Sequence, residues 1–367
     1  MTAMDDEAPA SSETAGEGHP PHDLNAPGEG QDQGQVQEQG QGQGRGRRER
    51  DQRPRAPKRD VDGWVLLDKP SGMTSTQAVA VVKRLFAAKK AGHAGTLDPL
   101  ASGCLPIALG EATKTVPYVM DGRKTYRFTV RFGVEMDTDD AEGRPVAESD
   151  VRPTDEAIRA ALPGFLGEIM QVPPAYSALK IDGNRAYDLA REGEVVELQP
   201  RPIVIHRIEM VERPDMDHAV LEAECGKGTY VRAIARDLGR LLGTRGHVSM
   251  LRRASVGNFL EEDLIGVDEL SERAEAGDEA LFDALDGVDV ALEDLVGISV
   301  SPSDAHRLRC GQPIILRGRD APVIDGHVAV SCQGSLFAIG DASGGEVRPH
   351  RVFNWSRSVP RALKRSA

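Results

Sequence analysis

The pattern of apolar and polar positions separates a tail without periodicity from a long folded region. Residues 1–60 include the run GEGQDQGQVQEQGQGQG. It has no apolar repeat and cannot bury enough surface to offset the entropy lost on ordering. We therefore predict that residues 1–60 form a disordered, low-complexity tail and that order begins at Gly63.

Short apolar runs and helical spacings follow this tail. The run WVLLDKP at 64–70 predicts a buried strand that ends in a turn. Residues 74–77, TSTQ, have the form of a capping box, and the apolar residues behind them recur at helical spacing as far as Phe86. The loop AGHAGTLDPLASG then leads into the apolar run CLPIAL at 104–109.

Clear periodicity continues through the middle of the chain. Residues 125–132, TYRFTVRF, alternate so that the aromatic residues share one face of a strand and the arginines the other. Residues 229–242 predict an amphipathic helix on which Arg232, Arg236 and Arg240 follow at a spacing of four, away from the apolar stripe. Further strands are predicted at 202–212 and 219–225, and short helices at 154–162 and 184–192.

The C-terminal part of the chain changes character. The acidic segment at 261–297 predicts helical pieces that act as a joint. Residues 298–357 predict short strands with Gly-rich turns, followed by a basic tail at 358–367. With residues 61–260, these patterns predict an α+β fold with a mixed, largely antiparallel sheet and a small β-rich C-terminal domain.

Charge is distributed unevenly along the 367 residues. The formal net charge is −13, but residues 1–44 hold nine acids and no Lys or Arg, and residues 261–295 hold fourteen acids and one Arg. Residues 61–260 carry 26 basic and 27 acidic side chains, so this region could still present a basic face to phosphates. The basic stretch at 45–60 is either a solvated linker or a loose RNA-binding arm.

The four cysteines, Cys104, Cys225, Cys310 and Cys332, form no C-x-x-C pair and have no His cluster beside them. This spacing argues against a zinc site and favours reduced thiols. No apolar stretch approaches the roughly 20 residues that cross a bilayer, and the N-terminus lacks a signal pattern. We therefore expect a soluble, cytoplasmic monomer that does not bind membranes.

One carboxylate lies in a distinctive loop. Asp98 is part of GHAGTLDPLASG, where three glycines allow sharp bends and Pro99 biases Asp98 away from the helical region. A carboxylate held in this way is positioned rather than mobile. Taken alone, an Asp-Pro pair is more often a turn or a cap.

Four motifs occur in an order that resembles one enzyme family. GWVLLDKPSGMTS, AGHAGTLDPLASGCLPIALGEATK, KTYRFTVRFG and GTYVRAIARDLG resemble the TruB family of tRNA pseudouridine synthases, over residues 61–260. More weakly, the stretch RLRCGQPI…LFAIGDASGGEVRPHRVF resembles the family's PUA-like RNA-binding domain. The resemblance implies the pseudouridine synthase catalytic fold. It also implies conversion of uridine 55 in the T-loop of tRNA to pseudouridine, without guide RNA, metal or redox cofactor.

The resemblance implies roles for residues of the catalytic site. Asp98 occupies the catalytic aspartate position, Arg232 that of its ion partner, and Tyr126 that of a tyrosine that packs on the target base. A carboxylate can act as a nucleophile at C1′ or as a base on the ribose, and the sequence does not choose between them. Tyr230 matches a second active-site tyrosine, in the first turn of the predicted helix, where free N–H groups favour a phosphate.

Three further matches concern RNA binding, which requires the target base to leave its stack. His93 matches a histidine that occupies the space vacated by flipped bases, and Leu251 matches an apolar contact to the uracil. Lys69 is assigned either to support of the active-site loop or to contact with RNA. Arg252 and Arg253 are expected to reach the RNA backbone. Without the resemblance, each would be interpreted as an ordinary core or surface residue.

Three other functions are compatible with the sequence. Related pseudouridine synthases modify ribosomal RNA or work in guide-RNA complexes, but the short C-terminal module favours a stand-alone enzyme. A tRNA-folding chaperone with secondary isomerase activity is a second alternative, although Asp98, Tyr126 and Arg232 favour retained catalysis. A general RNA-binding protein would leave the ordered run of motifs unexplained.

Overall fold

The chain folds into alternating strands and helices, and the computed structural model describes residues 57–177, 180–181, 184–185, 198–316 and 324–355. The strands are β1 (Gly63–Lys69), β2 (Ala91–His93), β3 (Ser102–Leu109), β4 (Lys124–Phe132), β5 (Val134–Met136), β6 (Pro145–Glu148), β7 (Gly167–Gln171), β8 (Lys180–Ile181), β9 (Asn184–Arg185), β10 (Arg201–Glu212), β11 (His218–Cys225), β12 (Gly246–Val256), β13 (Ile265–Gly266), β14 (Val296–Val300), β15 (Ile314–Ile315), β16 (Gly326–Cys332), β17 (Ser335–Ser343) and β18 (Glu346–Val352). The α-helices are α1 (Ser75–Leu85), α2 (Val116–Asp121), α3 (Asp155–Ala161), α4 (Val231–Leu241), α5 (Val267–Ala276), α6 (Asp278–Phe282) and α7 (Pro302–Arg309). Short 3₁₀ helices occupy Gly110–Lys114, Leu162–Phe165, Glu261–Asp263 and Val288–Leu292.

A nine-stranded sheet forms the centre of the fold. Its strands lie in the order β13-β1-β3-β12-β4-β11-β10-β7, and β2 also pairs with β3. Neighbouring strands are antiparallel except for the parallel pairs β1–β13 and β3–β12. The sheet is therefore mixed and largely antiparallel, which confirms the predicted fold class.

Strand β4 follows its predicted pattern. Phe128, Val130 and Phe132 are buried in the main core, whereas Arg127 and Arg131 on the alternate positions are exposed. The predicted strands β10 and β11 and the predicted helix α3 are also present. The prediction from alternation holds here because the aromatic face of the strand packs against the apolar core, whereas the arginines of the other face are exposed to solvent.

Helix α4 lies against β12 at short range. A Cβ atom at Gly239 would lie 2.5 Å from the backbone nitrogen of Gly246, so only a glycine allows this approach. The helix begins at Val231 rather than at residue 229, because Tyr230 has extended backbone angles and forms the N-cap. The prediction was therefore wrong by two residues at this end.

The acidic segment at 261–295 is built into the fold. It contains the predicted helical pieces α5 and α6, whose Leu270 and Leu281 are buried in the main core. Strand β13 of the same segment pairs with β1 at the edge of the large sheet. The segment thus contributes buried side chains to the core, in addition to connecting the two parts of the fold.

A smaller five-stranded sheet follows, in the order β14-β16-β17-β18-β15, which confirms the predicted β-rich character of residues 298–355. Its Ile339 and Phe353 are buried in the same apolar cluster as Trp64 and Phe259 of the preceding part of the chain. The two sheets therefore share a continuous apolar contact.

The fold begins before the predicted Gly63. The guanidinium of Arg59 binds both carboxylate oxygens of Asp278, at 2.6 and 2.8 Å, and lies 4.9 Å from the ring centre of Phe282. A polar contact of this kind produces no periodic pattern of apolar residues. The prediction that order begins at Gly63 was therefore wrong.

Several predictions fall outside the described residues. These are the disorder of residues 1–56, the helix over residues 186–192 and the basic tail at 358–367. Residues 184–185 of that predicted helix form β9 instead. Within the described parts of the chain, the helices are too short or too polar to cross a bilayer.

Candidate active site

The loop between β2 and β3 carries Asp98 and is fixed on both sides of it. The hydroxyl of Ser75, at the start of α1, donates to the carbonyl of Leu97 and accepts from its amide, both at 2.9 Å. The amide of Gly72 donates to the carbonyl of Pro99 at 2.7 Å. Because both neighbours of Asp98 are anchored, its carboxylate is held in position.

Lys69 lies beneath this loop without exposed surface. Its ammonium donates to the carbonyls of Met73 at 2.7 Å and Pro99 at 3.4 Å. Burial lowers the pKa of Lys69 to about 8, against the opposing effect of Asp98. Of the two roles considered for Lys69, this geometry favours support of the loop, since a fully buried side chain does not reach RNA.

Arg252 and Arg253, which were expected to reach the RNA backbone, both bind groups within the protein. Arg253 is buried and donates to the carbonyls of Cys104 at 2.8 Å and Gly95 at 3.0 Å, on either side of the Asp98 loop. Arg252 binds both oxygens of Asp68 at 3.0 Å. Arg253 thus holds the backbone around the site, and Arg252 binds acidic side chains.

Arg232 joins the loop to the turn that follows β5. Its Nε lies 3.0 Å from Oδ2 of Asp98, and its Nη1 lies 3.2 Å from Oδ2 of Asp140. The guanidinium also donates to the carbonyls of Thr138 at 2.8 Å and Tyr176 at 2.9 Å. Because the side chain is only 6% exposed, these contacts leave it little freedom.

The carboxyl group of Asp98 experiences opposing effects. Partial burial raises its pKa, the Arg232 guanidinium lowers it, and the Asp140 carboxylate raises it again. The net result is a pKa above the usual value for Asp. A carboxylate of raised pKa is a better base and nucleophile than an ordinary one.

Two further arginines of α4 repeat the pairing of Arg232. Nη1 of Arg236 lies 2.8 Å from Oδ2 of Asp139, and Nη2 of Arg240 lies 2.5 Å from Oε1 of Glu135. The spacing of four therefore marks a face that binds a row of acids between residues 135 and 140. The sequence predicted the face but not its partners, because acids beside β5 are distant in the chain.

A pocket of about 300 Å³ opens beside Asp98. Six of the nine residues singled out in the sequence line it: Asp98, Tyr126, Tyr230, Arg232, Leu251 and Arg253. Lys69, His93 and Arg252 are not part of its lining. The structure thus brings most of the predicted residues together around one cavity, although they come from separate strands, a loop and a helix.

Tyr126 and Leu251 provide aromatic and apolar walls for the pocket. Burial raises the pKa of the Tyr126 phenol, and the nearby Arg253 opposes this effect, so the phenol is neutral at pH 7. Leu251 is 6% exposed and lies opposite Phe128 on the adjacent strand. An aromatic ring and a leucine facing a small cavity suit a planar, uncharged base.

Tyr230 is the N-cap of α4, not a residue of its first turn as predicted. Its amide donates to Oε1 of Gln171 at 2.9 Å, and its carbonyl accepts from Nε2 of Gln171 at 3.1 Å. The amide is therefore already bonded and does not await a phosphate. The side chain still lines the pocket, where burial raises its pKa.

His93 is half-buried in β2, outside the pocket lining. Burial lowers the pKa of its imidazole, and the Arg253 guanidinium lowers it further. Its Nδ1 is buried and has no hydrogen-bond partner among the residues that the structure describes. The ring is therefore neutral at pH 7 and carries an unpaired polar atom.

Lys124 is a pocket residue that the sequence analysis missed. It is 6% exposed and donates to the carbonyls of Met120 and Gly122 at the end of α2. Burial lowers the pKa of Lys124 to about 8, and Arg253 lowers it further. The available signal was a lysine two residues before Tyr126, at the start of an otherwise alternating strand.

Asp98 also borders a second cavity, of about 710 Å³. Its lining includes the acids Asp137, Asp140 and Glu142. In the described ranges, groups of three His, Cys, Asp or Glu side chains arranged to hold a metal do not occur.

Solved structures share this fold. The chain matches the crystal structure of a Cbf5-Nop10-Gar1 complex with a TM-score of 0.63 and 27% identity, over 79% of this chain and 84% of that one. It matches the structure of an H/ACA RNP bound to a substrate RNA containing 2′-deoxyuridine with a TM-score of 0.63 and 25% identity, over 82% and 88%. The fold and the carboxylate pocket together define a pseudouridine synthase.

Matches to family models and to named relatives identify the family within this class of enzymes. The model of the TruB family pseudouridylate synthase N-terminal domain matches residues 83–231, and that of the tRNA pseudouridylate synthase B C-terminal domain matches residues 232–293. Proteins named tRNA pseudouridine synthase B from Bradyrhizobium diazoefficiens and Rhizobium johnstonii are 63% and 53% identical. Each match covers 82% of this chain, and 88% and 99% of the respective relative. The chain belongs to the TruB family of pseudouridylate synthases.

Proposed function

We propose that this enzyme converts uridine 55 in the T-loop of tRNA to pseudouridine, with Asp98 as its essential catalytic carboxylate. The observation that carries the proposal is the carboxylate of Asp98 at the wall of a pocket of about 300 Å³, ion-paired with Arg232 at 3.0 Å. The names of relatives at 53% to 63% identity support tRNA as the substrate.

The pocket residues have separate roles in the proposed reaction. Tyr126 and Leu251 receive the uracil ring after it has left its stack, an extrusion that costs a few kcal/mol. Arg232 orients Asp98 and keeps it ionised, and Tyr230 completes the wall beside it. His93 fills the space that flipped bases vacate in the RNA, and its neutral ring suits this stacking role. Lys69 supports the loop from below.

Two chemical routes suit a carboxylate in this position. As a nucleophile, an oxygen of Asp98 bonds to C1′ while the C1′–N1 bond breaks and leaves its electron pair on the uracil. C5 of the rotated uracil then displaces the carboxylate, and the C5 proton is lost. As a base, Asp98 removes the C2′ proton while C1′–N1 breaks, which gives a glycal. The new C5–C1′ bond then forms as Asp98 returns this proton to C2′. In both routes C5 finally loses its proton and N1 of the rotated uracil gains one.

An isotope measurement separates the two routes. A T stem-loop with deuterium at C2′ of the target uridine reacts several-fold more slowly than the unlabelled RNA if Asp98 removes that proton in a rate-limiting step. The nucleophilic route leaves the C2′–H bond intact. It therefore predicts equal single-turnover rates for the two substrates.

The reaction is proposed to need no guide RNA. The solved neighbours include an H/ACA RNP bound to a substrate RNA, whereas relatives with much higher identity are named for tRNA. Incubation of pure protein with an isolated T stem-loop, followed by pseudouridine mapping at base resolution, tests this point. Absence of product with the stem-loop, but product on another RNA, would reassign the target.

The role of Asp98 is tested with Asp98→Asn. We expect this variant to bind tRNA as tightly as the wild type and to form no pseudouridine, because the amide is neither a base nor an anionic nucleophile. Asp215→Asn, at an exposed aspartate of the β10–β11 turn, is the matched control and should turn over normally. Substantial turnover by Asp98→Asn would refute the assigned role.

A further inference from the structure

Helix α2 forms part of the pocket wall. Met120, near the end of α2, lines the pocket, and its carbonyl accepts a hydrogen bond from the buried Lys124. Asp121, the last residue of α2, lies 2.9 Å from Nζ of Lys227, which also lines the pocket. A shift of α2 would therefore move several residues that face the substrate.

The small C-terminal sheet holds α2 and the turn before it from the other side. Three hydrogen bonds cross between them: Tyr118 hydroxyl to His327 Nδ1 at 3.0 Å, Lys114 Nζ to the Val352 carbonyl at 2.8 Å, and the Asn354 amide to Oε2 of Glu111 at 2.7 Å. Apolar contacts accompany these bonds, since Val119 is buried in one cluster with Ile339 and Phe353. The position of α2 is thus determined by both parts of the molecule.

Of these three contacts, that of Tyr118 with His327 is the one closest in the chain to Met120 of the pocket. Tyr118 lies two residues before Met120, so the two side chains point to nearly opposite sides of the helix. The ring of His327 meets Tyr118 edge-on, with 5.4 Å between ring centres, and stacks on His350 at 4.7 Å. The bond lies at the surface, and the stack on His350 limits the positions open to His327 and thus to its partner, the Tyr118 hydroxyl.

We propose that Tyr118 and His327 are positioning residues for pseudouridine formation. Through this contact the C-terminal sheet sets the position of α2, and α2 sets Met120 and Lys124 against the base in the pocket. The inference rests on the proposed function, because it concerns the same pocket. It gives the C-terminal sheet a part in the chemical step that is separate from any contact between this sheet and RNA.

The test compares Tyr118→Phe, His327→Ala and the double variant. Single-turnover rates on a T stem-loop at saturating enzyme measure the chemical step apart from RNA affinity. Tyr118→Phe removes one hydroxyl and keeps the ring. We expect each single variant to slow the step by about three- to tenfold, in keeping with the loss of one hydrogen bond. The double variant should be no slower than the slower single variant, because both changes remove the same contact.

Two controls separate positioning from general effects. His327→Asn can still accept a hydrogen bond near the position of Nδ1 and should recover part of the rate lost in His327→Ala. Arg348→Ala removes an exposed cation of the same sheet, paired with Glu346, and should react at the wild-type rate at saturating enzyme. The thermal unfolding midpoint of each variant verifies its fold.

The outcomes that overturn the inference are specific. A wild-type rate for Tyr118→Phe at saturating enzyme, multiplied effects in the double variant, or an equal loss in Arg348→Ala would each refute it. Absence of product with the wild-type enzyme would instead refute the proposed function. The two failures are therefore distinguishable in the same assay.

Discussion

Arg232 binds Asp98 through Nε at 3.0 Å while its Nη1 lies 3.2 Å from Asp140, so one guanidinium serves two carboxylates. Burial and Asp140 both raise the pKa of Asp98, and Arg232 is the first of the opposing influences. Without Arg232, less positive charge would offset the repulsion between the carboxylates of Asp98 and Asp140. The pKa of Asp98 would then rise further.

Arg232→Met should therefore move the acid limb of the pH–rate profile to higher pH. The ionised carboxylate is the active form, and a higher pKa means that protonation removes it earlier as the pH falls. We expect the single-turnover rate at pH 7 to fall by about tenfold or more, because orientation of Asp98 is lost as well. Single-turnover rates over a range of pH, normalised to each variant's plateau, measure the shift.

The matched control is Arg240→Met, which removes another arginine of α4. The Arg240 side chain is 50% exposed and pairs with Glu135, away from the pocket. Its acid limb should coincide with that of the wild type. An unshifted limb in Arg232→Met would show that Arg232 does not set the ionisation of Asp98.

The elements around this pair could be predicted because they carry local periodicity. The alternation over β4 and the helical stripe of α4 each indicate one buried face, because periodic apolar residues mark the side of an element that packs against the core. The same pattern marked Arg232, Arg236 and Arg240 as one face. It did not reveal that all three pair with acids, or that Arg232 and Arg236 are buried.

Partners that are distant in the chain left no local signal. Arg253 binds the carbonyl of Cys104, 149 residues away, and any residue has such a carbonyl. The anchor of Arg59 on Asp278 spans 219 residues. Lys124 was missed although its partners Met120 and Gly122 are close in the chain, because an alternating pattern does not reveal that a lysine is buried. Asp98, Tyr126 and Leu251 were found through the family resemblance.

Arg253 and Arg252 should differ sharply in their effects on stability. Arg253→Met leaves three loop carbonyls without their buried donor and should lower the free energy of unfolding by about 3 kcal/mol. Arg252, with a side chain 30% exposed, forms a partly solvated ion pair, so Arg252→Met should cost about 1 kcal/mol. Urea denaturation measures both values. Loss of RNA affinity at full stability in both variants would restore the original assignment to the RNA backbone.

Lys69 should make stability depend on pH in the alkaline range. Its pKa is about 8 in the folded protein, below the value of about 10.4 for a free lysine. Between these values the unfolded chain binds more protons, so the contribution of Lys69 to stability rises with pH and is lost as the pH falls through about 8.

The comparison with Lys69→Met isolates this contribution. The difference in unfolding free energy between wild type and variant should grow, by at most about 3 kcal/mol, as the pH increases across that window. Lys89→Met, at an exposed lysine paired with Asp60, should keep the slope of the wild type. A constant difference between wild type and Lys69→Met would mean that Lys69 titrates normally.

Gly103 should be the glycine of the site that least tolerates a side chain. It lies in β3 with a φ of +97°, and a Cβ atom there would lie 2.3 Å from the carbonyl oxygen of Arg253. Gly103→Ala must therefore separate β3 from β12 where Arg253 holds the Asp98 loop. We expect a loss of about 2–4 kcal/mol in unfolding free energy and a further loss of turnover in the protein that remains folded.

Gly266→Ala provides the contrast for that prediction. Gly266 has a φ of −70° at the N-cap of α5, and a Cβ atom there would meet no atom within 4 Å. The same substitution should cost at most about 1 kcal/mol at this position, the difference between glycine and alanine as an N-cap. Chemical denaturation measures the stability of both variants, and single-turnover assays measure their activity. Equal stability of the two would mean that the contact between β3 and β12 can relax, and that the close approach does not hold the catalytic loop.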